Sequence, residues 1–367
     1  MRSFESLSFG AYRAGAVAAA VLVAGSHASW AQADGIARTS SGRPDFSGTY
    51  NAATLTPLVR PVELGDRLSL TDEEAEVIAK RKAEVYAADL APSDPNREAP
   101  PVGGTRVFDT DISQSACGGS GGYNAFFMDK GDLSLKIDGE WRTSILVEPR
   151  NGQLPKRTPE ARARSAERAR RFGRPNTGTA WWIDEESGPY DDMEDRPAAE
   201  RCLLGFTGAT PTFPALYNNH KQIVQTEDSL MILIEMVHDA RIVRLSSNGR
   251  AEAHPPTQIK KWLGDSIGWW EGDTLVVEST NFLPGSQGRG GSEKMTVTER
   301  FTKQEDGDIL YRFTVDDSTV WSAPWTGEYI WRATGERVYE YACHEGNYAM
   351  GNIMRGARLL EREALSE

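Results

Sequence analysis

The chain has 367 residues, 53 of them acidic and 41 basic, and a formal net charge of −12. So acidic a protein lacks the basic face that a phosphate backbone requires, which sets nucleic-acid binding aside. The length fits one large domain or two smaller ones, and a hydrophobic content of 39% is enough for a core.

The N-terminus reads as a secretory signal. Arg2 and Arg13 form the positive flank and Ala14 to Gly25 the apolar run. Ser29-Trp30-Ala31 fits a cut before Gln32, and Ala31-Gln32-Ala33 allows one two residues later. The run is about a dozen residues against the roughly 20 that span a bilayer, so cleavage is expected rather than an anchor. The expectation is a periplasmic or secreted protein with no membrane span after cleavage. The expected organisation is a signal peptide over 1–31, an arm over 32–110 and a β-rich ligand-binding domain over 111–367.

In an oxidising compartment the three cysteines Cys117, Cys202 and Cys343 predict one disulfide and one spare thiol. Cys202–Cys343, closing a very long loop, is the favoured pair, and Cys117 in its glycine stretch is the odd one. Three free thiols are the alternative, and sequence does not fix the pairing.

Residues 32–44 are small and polar and read as a disordered arm, and Asp45 to Tyr50 as a first short strand. Thr71-Asp72-Glu73-Glu74 is a capping box. It opens a helix over 72–88 with Ala75, Ile78, Ala79 and Tyr86 near one face. Pro92, Pro95, Pro100 and Pro101 mark a loop. Strands are expected over 123–128, 133–138 and 141–147. A second helix over about 159–171 starts with Thr158 as cap and Pro159 in the first turn. Residues 155–174 carry eight basic and two acidic side chains, read as a solvated face in preference to an anion dock.

From Tyr217 the chain is rich in Val, Ile, Thr, Tyr, Phe and Trp. Strands are expected over 222–226, 230–237, 240–245, 274–280, 295–302, 309–315, 328–333 and 337–343. Glu271-Gly272-Asp273, Asp306-Gly307-Asp308 and Thr334-Gly335-Glu336 read as hairpin turns. Consecutive hairpins without helices predict a mostly β fold, an antiparallel β-barrel or strongly curved sheet (calycin-like), with a few peripheral helices from the N-terminal half.

Several blocks in the second half resemble a family of secreted bacterial proteins of no established activity. They include Glu235-Met236-Val237-His238-Asp239-Ala240-Arg241, Trp270-Glu271-Gly272-Asp273-Thr274-Leu275-Val276-Val277-Glu278 and Tyr339-Glu340-Tyr341-Ala342-Cys343-His344-Glu345-Gly346-Asn347-Tyr348. Tyr217-Asn218-Asn219 and Thr298-Glu299-Arg300-Phe301 also fit, and the likeness covers roughly residues 120–360. It implies kinship without chemistry. Cys202 and Cys343 fall within the shared region and Cys117 does not, which favours the same disulfide. A looser likeness is to lipocalin-type barrels, with Gly48-Thr49-Tyr50 where those open on Gly-x-Trp.

Two hydrolase patterns lack their context. Gly118-Gly119-Ser120-Gly121-Gly122 matches a nucleophile elbow without the apolar strand before it or the helix after it. Gly264-Asp265-Ser266-Ile267 resembles the opening block of GDSL hydrolases but lies mid-chain among strands, where a structural turn is expected. His220, His238, His254 and His344 form no pair at metal-ligand spacing, so no metal is expected. No nucleotide fingerprint or phosphate loop stands in the right context, so no cofactor is expected.

Carboxylates within strands carry the functional expectation, because an inward charge is costly unless paired or wet. Glu235, Glu278, Glu299 and Glu340 lie in strand-like runs. His344 and His238 are the candidate proton-exchange groups, with Glu340 or Glu235 as partner acid or base. Arg241 or Arg300 would hold an anionic group. Glu278, Glu299, Tyr341, Tyr348, Trp270 and Asn218 complete the candidate ligand-binding set. The plain alternative is that these charges face water, His238-Asp239-Arg241 being a polar hairpin tip and His344 a strand end beside the disulfide. The leading expectation is an exported protein that binds a small, partly apolar ligand and possesses acid–base chemistry of the lyase, isomerase or hydrolase kind. A carbohydrate-active enzyme with paired carboxylates and aromatic platforms, and a non-catalytic envelope protein, are the rivals.

Overall fold

The computed structural model describes residues 35–92, 96, 128–172, 178–205, 210–246, 253–285 and 290–366. The signal segment, Cys117, the glycine elbow at 118–122 and the strand expected over 123–128, except Met128, lie outside them.

Nine strands close into a barrel. In chain order they are β1 (Gly48–Asn51), β6 (His220–Gln225), β7 (Ser229–Ile234), β8 (Ala240–Leu245), β9 (Asp265–Glu271), β10 (Thr274–Thr280), β11 (Thr296–Lys303), β12 (Ile309–Asp316) and β13 (Trp325–Thr334). Each pairs with the next, and β13 returns to β1 through Tyr50↔Ala333. Every pairing is antiparallel except β8–β9, which is parallel through Val243↔Ser266, so the barrel is mixed. The break follows from the long crossover between Leu245 and Asp265, which brings the chain back in the same direction. Strand β5 (Leu146–Glu148) continues the free edge of β13, and β2 (Ser69–Leu70), β4 (Glu140–Arg142) and β3 (Lys136–Ile137) form a small separate sheet.

Alternation explains the closure. On β12, Ile309, Tyr311, Phe313 and Val315 are fully buried, while the residues between them are not. Strand β13 faces them with Trp325, Tyr329 and Trp331. Gly327 stands between the aromatics because a Cβ there would overlap the Phe313 ring and lie 3.2 Å from Ile145 Cγ2. The turns Glu271-Gly272-Asp273 and Asp306-Gly307-Asp308 join β9 to β10 and β11 to β12, with Gly272 and Gly307 at φ 61° and 92°.

Loops cover both ends. The arm expected to be disordered is ordered from Gly35: Arg38 bridges to Pro44, and its guanidinium donates to both Asp273 oxygens. Phe46 then stacks on Trp270 at 5.9 Å and meets Phe301 edge-on at 6.4 Å. At the other end Phe213 packs edge-on against Phe313 at 5.5 Å and stacks on Trp325 at 6.4 Å.

Among the described residues three helices lie outside the barrel: α1 (Asp72–Asp89), α2 (Pro159–Phe172) and α3 (Tyr348–Ser366). Thr71 and Glu74 make the expected capping box on α1, and Thr158 Oγ1 accepts from the Ala161 N–H at the start of α2. Helix α3 is not among the sequence expectations, and neither is β9. Nor does 337–343 form a strand: β13 ends at Thr334 and an irregular segment leads to α3. Cys202 and Cys343 are joined, with Cα atoms 5.7 Å apart, pinning this tail to the segment that precedes β6.

Gly327→Ala is expected to destabilise the barrel by about 1–3 kcal/mol, since the surrounding rings have no free volume. Urea unfolding checks this; an unchanged midpoint would mean the Phe313 ring can move aside.

Candidate functional site

Strands β8 and β11 direct Arg241 and Glu299 into the barrel, where they are 5% and 0% exposed. The guanidinium grips the carboxylate with both Nη atoms. The Tyr311 hydroxyl donates to Glu299 Oε1 at 2.6 Å. Arg241 Nη1 also donates to Ser279 Oγ at 3.3 Å, and Ser279 shares a hydrogen bond of 2.7 Å with Ser266. Beside them Tyr329 donates to the Thr212 carbonyl at 2.9 Å. Burial alone would lower the Arg241 pKa, but the field of Glu299 outweighs it and raises it. Burial, reinforced by Glu299, pushes the Tyr311 hydroxyl well above its ordinary value, so it remains a donor.

Lys221 of β6 enters the same interior and is 0% exposed. Its ammonium sits 5.3 Å from the centre of the Trp331 ring and reaches the Asn219 carbonyl at 3.5 Å. Among the described residues no carboxylate lies within ion-pair distance of it. Burial drives its pKa down to about 7, opposed only by the more distant Glu235.

The rim carries a second cluster. His220 Nδ1 lies 3.2 Å from Glu235 Oε2 and Nε2 lies 2.7 Å from Glu336 Oε2. The bond to Glu235 leads in raising the His220 pKa to about 9, so the ring is an imidazolium held between carboxylates. Burial would raise Glu235, which is 5% exposed, but His220 holds it below its usual range. Immediately after Glu235 the chain turns through Val237 and His238, both left-handed at φ 60° and 53°. That is strained for a β-branched valine. Asp239, closing the turn, is pushed up to about 6 by burial although it accepts from the Gly205 N–H.

A third cluster surrounds Asp265 at the start of β9. It accepts from Lys261, Arg244 and His254 at 2.9, 2.8 and 2.9 Å. Burial would raise it, yet the hydrogen bonds from Lys261, His254 and Arg244 and the Lys261 charge bring it to about 2. Asp265 and Ser266 of the hydrolase-like block are thus spent on ion pairing and on the interior serine bond, and Gly264, at φ 74°, makes the turn.

Of the sequence candidates, Glu235, Arg241 and Glu299 are brought to the interior or its rim. His238 is exposed on the β7–β8 turn, its Nε2 accepting from the Tyr341 N–H at 3.1 Å. His344 and Glu340 are exposed off the barrel, because the strand that was to carry them does not form. The side chain that pairs with Glu235 is His220, and from the tail only the Tyr339 backbone bonds to that carboxylate. Arg300 pairs with Glu271 at 2.7 Å on the outside, and Glu278 meets His254 at 3.3 Å. Trp270 packs under Phe46, Tyr341 lies half-buried against the core, Tyr348 is 79% exposed, and Asn218 makes the left-handed turn into β6. Sequence reasoning missed Lys221 and His220. Lys221 shares inward parity with Ile223 on β6, which is the signal that could have found it.

No protein-family model, curated protein or solved structure matches the chain. Among the described residues no group of three or more His, Cys, Asp and Glu side chains is placed to hold a metal ion, and no helix is long and apolar enough to cross a membrane.

Arg241→Met is expected to cost about 3–5 kcal/mol by stranding Glu299, while Arg241→Met with Glu299→Leu costs less than the single change. Urea unfolding of both variants checks this. The His220 pKa is raised from 6.5 to about 9 on folding. Its stabilisation is therefore complete below the unfolded value and is lost as pH rises through about 9. Glu235→Gln should return the His220 ring toward its ordinary titration range, followed by NMR of its ring protons; an unmoved midpoint would show that Glu235 is not the cause.

Proposed function

We propose that this is an exported β-barrel protein that binds a small, partly apolar ligand within the barrel and acts on it by acid–base chemistry. One observation carries the reading: a guanidinium, a carboxylate and an amine are buried beside Trp331, Tyr311 and Tyr329. Apolar side chains would close the barrel at lower desolvation cost. The aromatics supply an apolar surface, Arg241 and Glu299 a polar anchor, and Glu235 with His220 a proton-exchange pair at the rim. Both ends are covered by loops rather than by strands, which gives a ligand a way in through loop movement. Export is supported by the N-terminal signal pattern and by the Cys202–Cys343 disulfide.

The second reading is a non-catalytic envelope protein whose interior charges only fix the fold. The complete hydrogen bonding of Arg241 to Glu299 and the exposure of His238, His344 and Glu340 favour it. The carbohydrate reading gains nothing from Trp321, Trp325 and Trp331, which are buried and offer no sugar platform.

A thermal-shift screen of small apolar alcohols, carboxylates and carbonyl compounds separates the first two. The ligand-binding reading expects stabilisation that grows with ligand concentration. It also expects that stabilisation to vanish in Arg241→Met/Glu299→Leu. No stabilisation by any class, or equal stabilisation of the double variant, would favour the structural reading.

A further inference from the structure

The two interior cations are treated differently. Arg241 is matched by Glu299, with Tyr311 and Ser279 completing its surroundings. Lys221, equally enclosed, has an aromatic face and one long contact to a backbone carbonyl. A lysine kept for a structural ion pair would be placed against a carboxylate, whereas Glu235, whose charge acts on Lys221 only from a distance, is bonded through Oε2 to His220. With its pKa lowered to about 7 by burial, this amine is in part unprotonated at neutral pH, with a lone pair available. The strained Val237–His238 turn directly follows Glu235 at the same rim.

Resting on the ligand-binding reading above, we propose that Lys221 is a nucleophilic amine that condenses with an apolar aldehyde or ketone inside the barrel to form an imine. The Nζ lone pair attacks the carbonyl carbon, forming the C–N bond. The two amine protons leave with the carbonyl oxygen as water, and the C–O bonds are replaced by C=N. No oxidant or reductant is consumed. The Trp331 ring, packed on Tyr311 with centroids 4.9 Å apart, is the apolar neighbour of the amine. Burial protects the imine from the water that would hydrolyse it.

The test uses the intact protein with hexanal and cyanoborohydride at neutral pH, followed by peptide mass mapping. Cyanoborohydride reduces any imine to a stable hexyl-amine. The expected result is hexylation of Lys221 ahead of the exposed Lys136 and Lys261, and no adduct at this site in Lys221→Met. Hexylation of Lys136 and Lys261 with Lys221 unmodified in the wild-type chain would overturn the proposal, and this readout does not depend on the variant folding. Hexanol, which has the same chain and no carbonyl, separates the two claims through quenching of interior tryptophan fluorescence. Hexanol binding without a Lys221 adduct refutes the imine and leaves the ligand-binding reading standing. Neither binding nor adduct removes both.

Discussion

Dehydrated charge is the constraint on which this molecule turns. A nine-stranded barrel directs alternate side chains inward, and three of its strands direct Lys221, Arg241 and Glu299 there. Each such group loses hydration worth several kcal/mol, so each must be repaid by its neighbours or change its protonation. Arg241 takes the first course through Glu299, Tyr311 and Ser279. Lys221 takes the second, its ammonium weakened by burial over the Trp331 ring. The same barrel thereby holds a doubly hydrogen-bonded Arg241–Glu299 pair and an amine whose hold on its proton is weakened by burial.

The ends of the barrel show how that interior is kept dry. Phe46 and Trp270 close one end under the N-terminal hairpin, which is held by Arg38 on Asp273 and by Ser40 on Glu227. Phe213 and Thr212 close the other. These closures rest on two ring contacts each for Phe46 and Phe213, with one exposed ion pair at the Phe46 end that is worth about 1 kcal/mol or less. The disulfide acts elsewhere, tying the tail before α3 to the segment that leads into β6.

Much of the architecture was legible because its signals are local. Alternation over 309–315, glycine turns at 272 and 307, and the Thr71–Glu74 box each specify their element without help from distant residues. What escaped depended on tertiary partners. Strand β9 is short of β-branched residues and is recruited by the ladder to β10. Helix α3 carries Gly351 and Gly356 in its sequence, which mask the face that places Ala357 and Leu360 against Trp182. The run 337–343 has strand composition but no free edge to pair with, since β13 already pairs with β12 on one side and with β5 and β1 on the other. That one difference removes His344 and Glu340 from the interior. Glu235, Arg241 and Glu299 were readable as strand charges, whereas Lys221 required knowing which face of β6 turns inward.

Titration of the Lys221 side chain tests the central claim most directly. In a sample carrying 13C at lysine Cε, the Lys221 signal, assigned by its absence in Lys221→Met, should titrate near pH 7, well below the ordinary lysine value of 10.5. A Lys221 signal that moves with the surface lysines would show that the amine is hydrated or firmly ion-paired, and the account of a dry, reactive interior would fail.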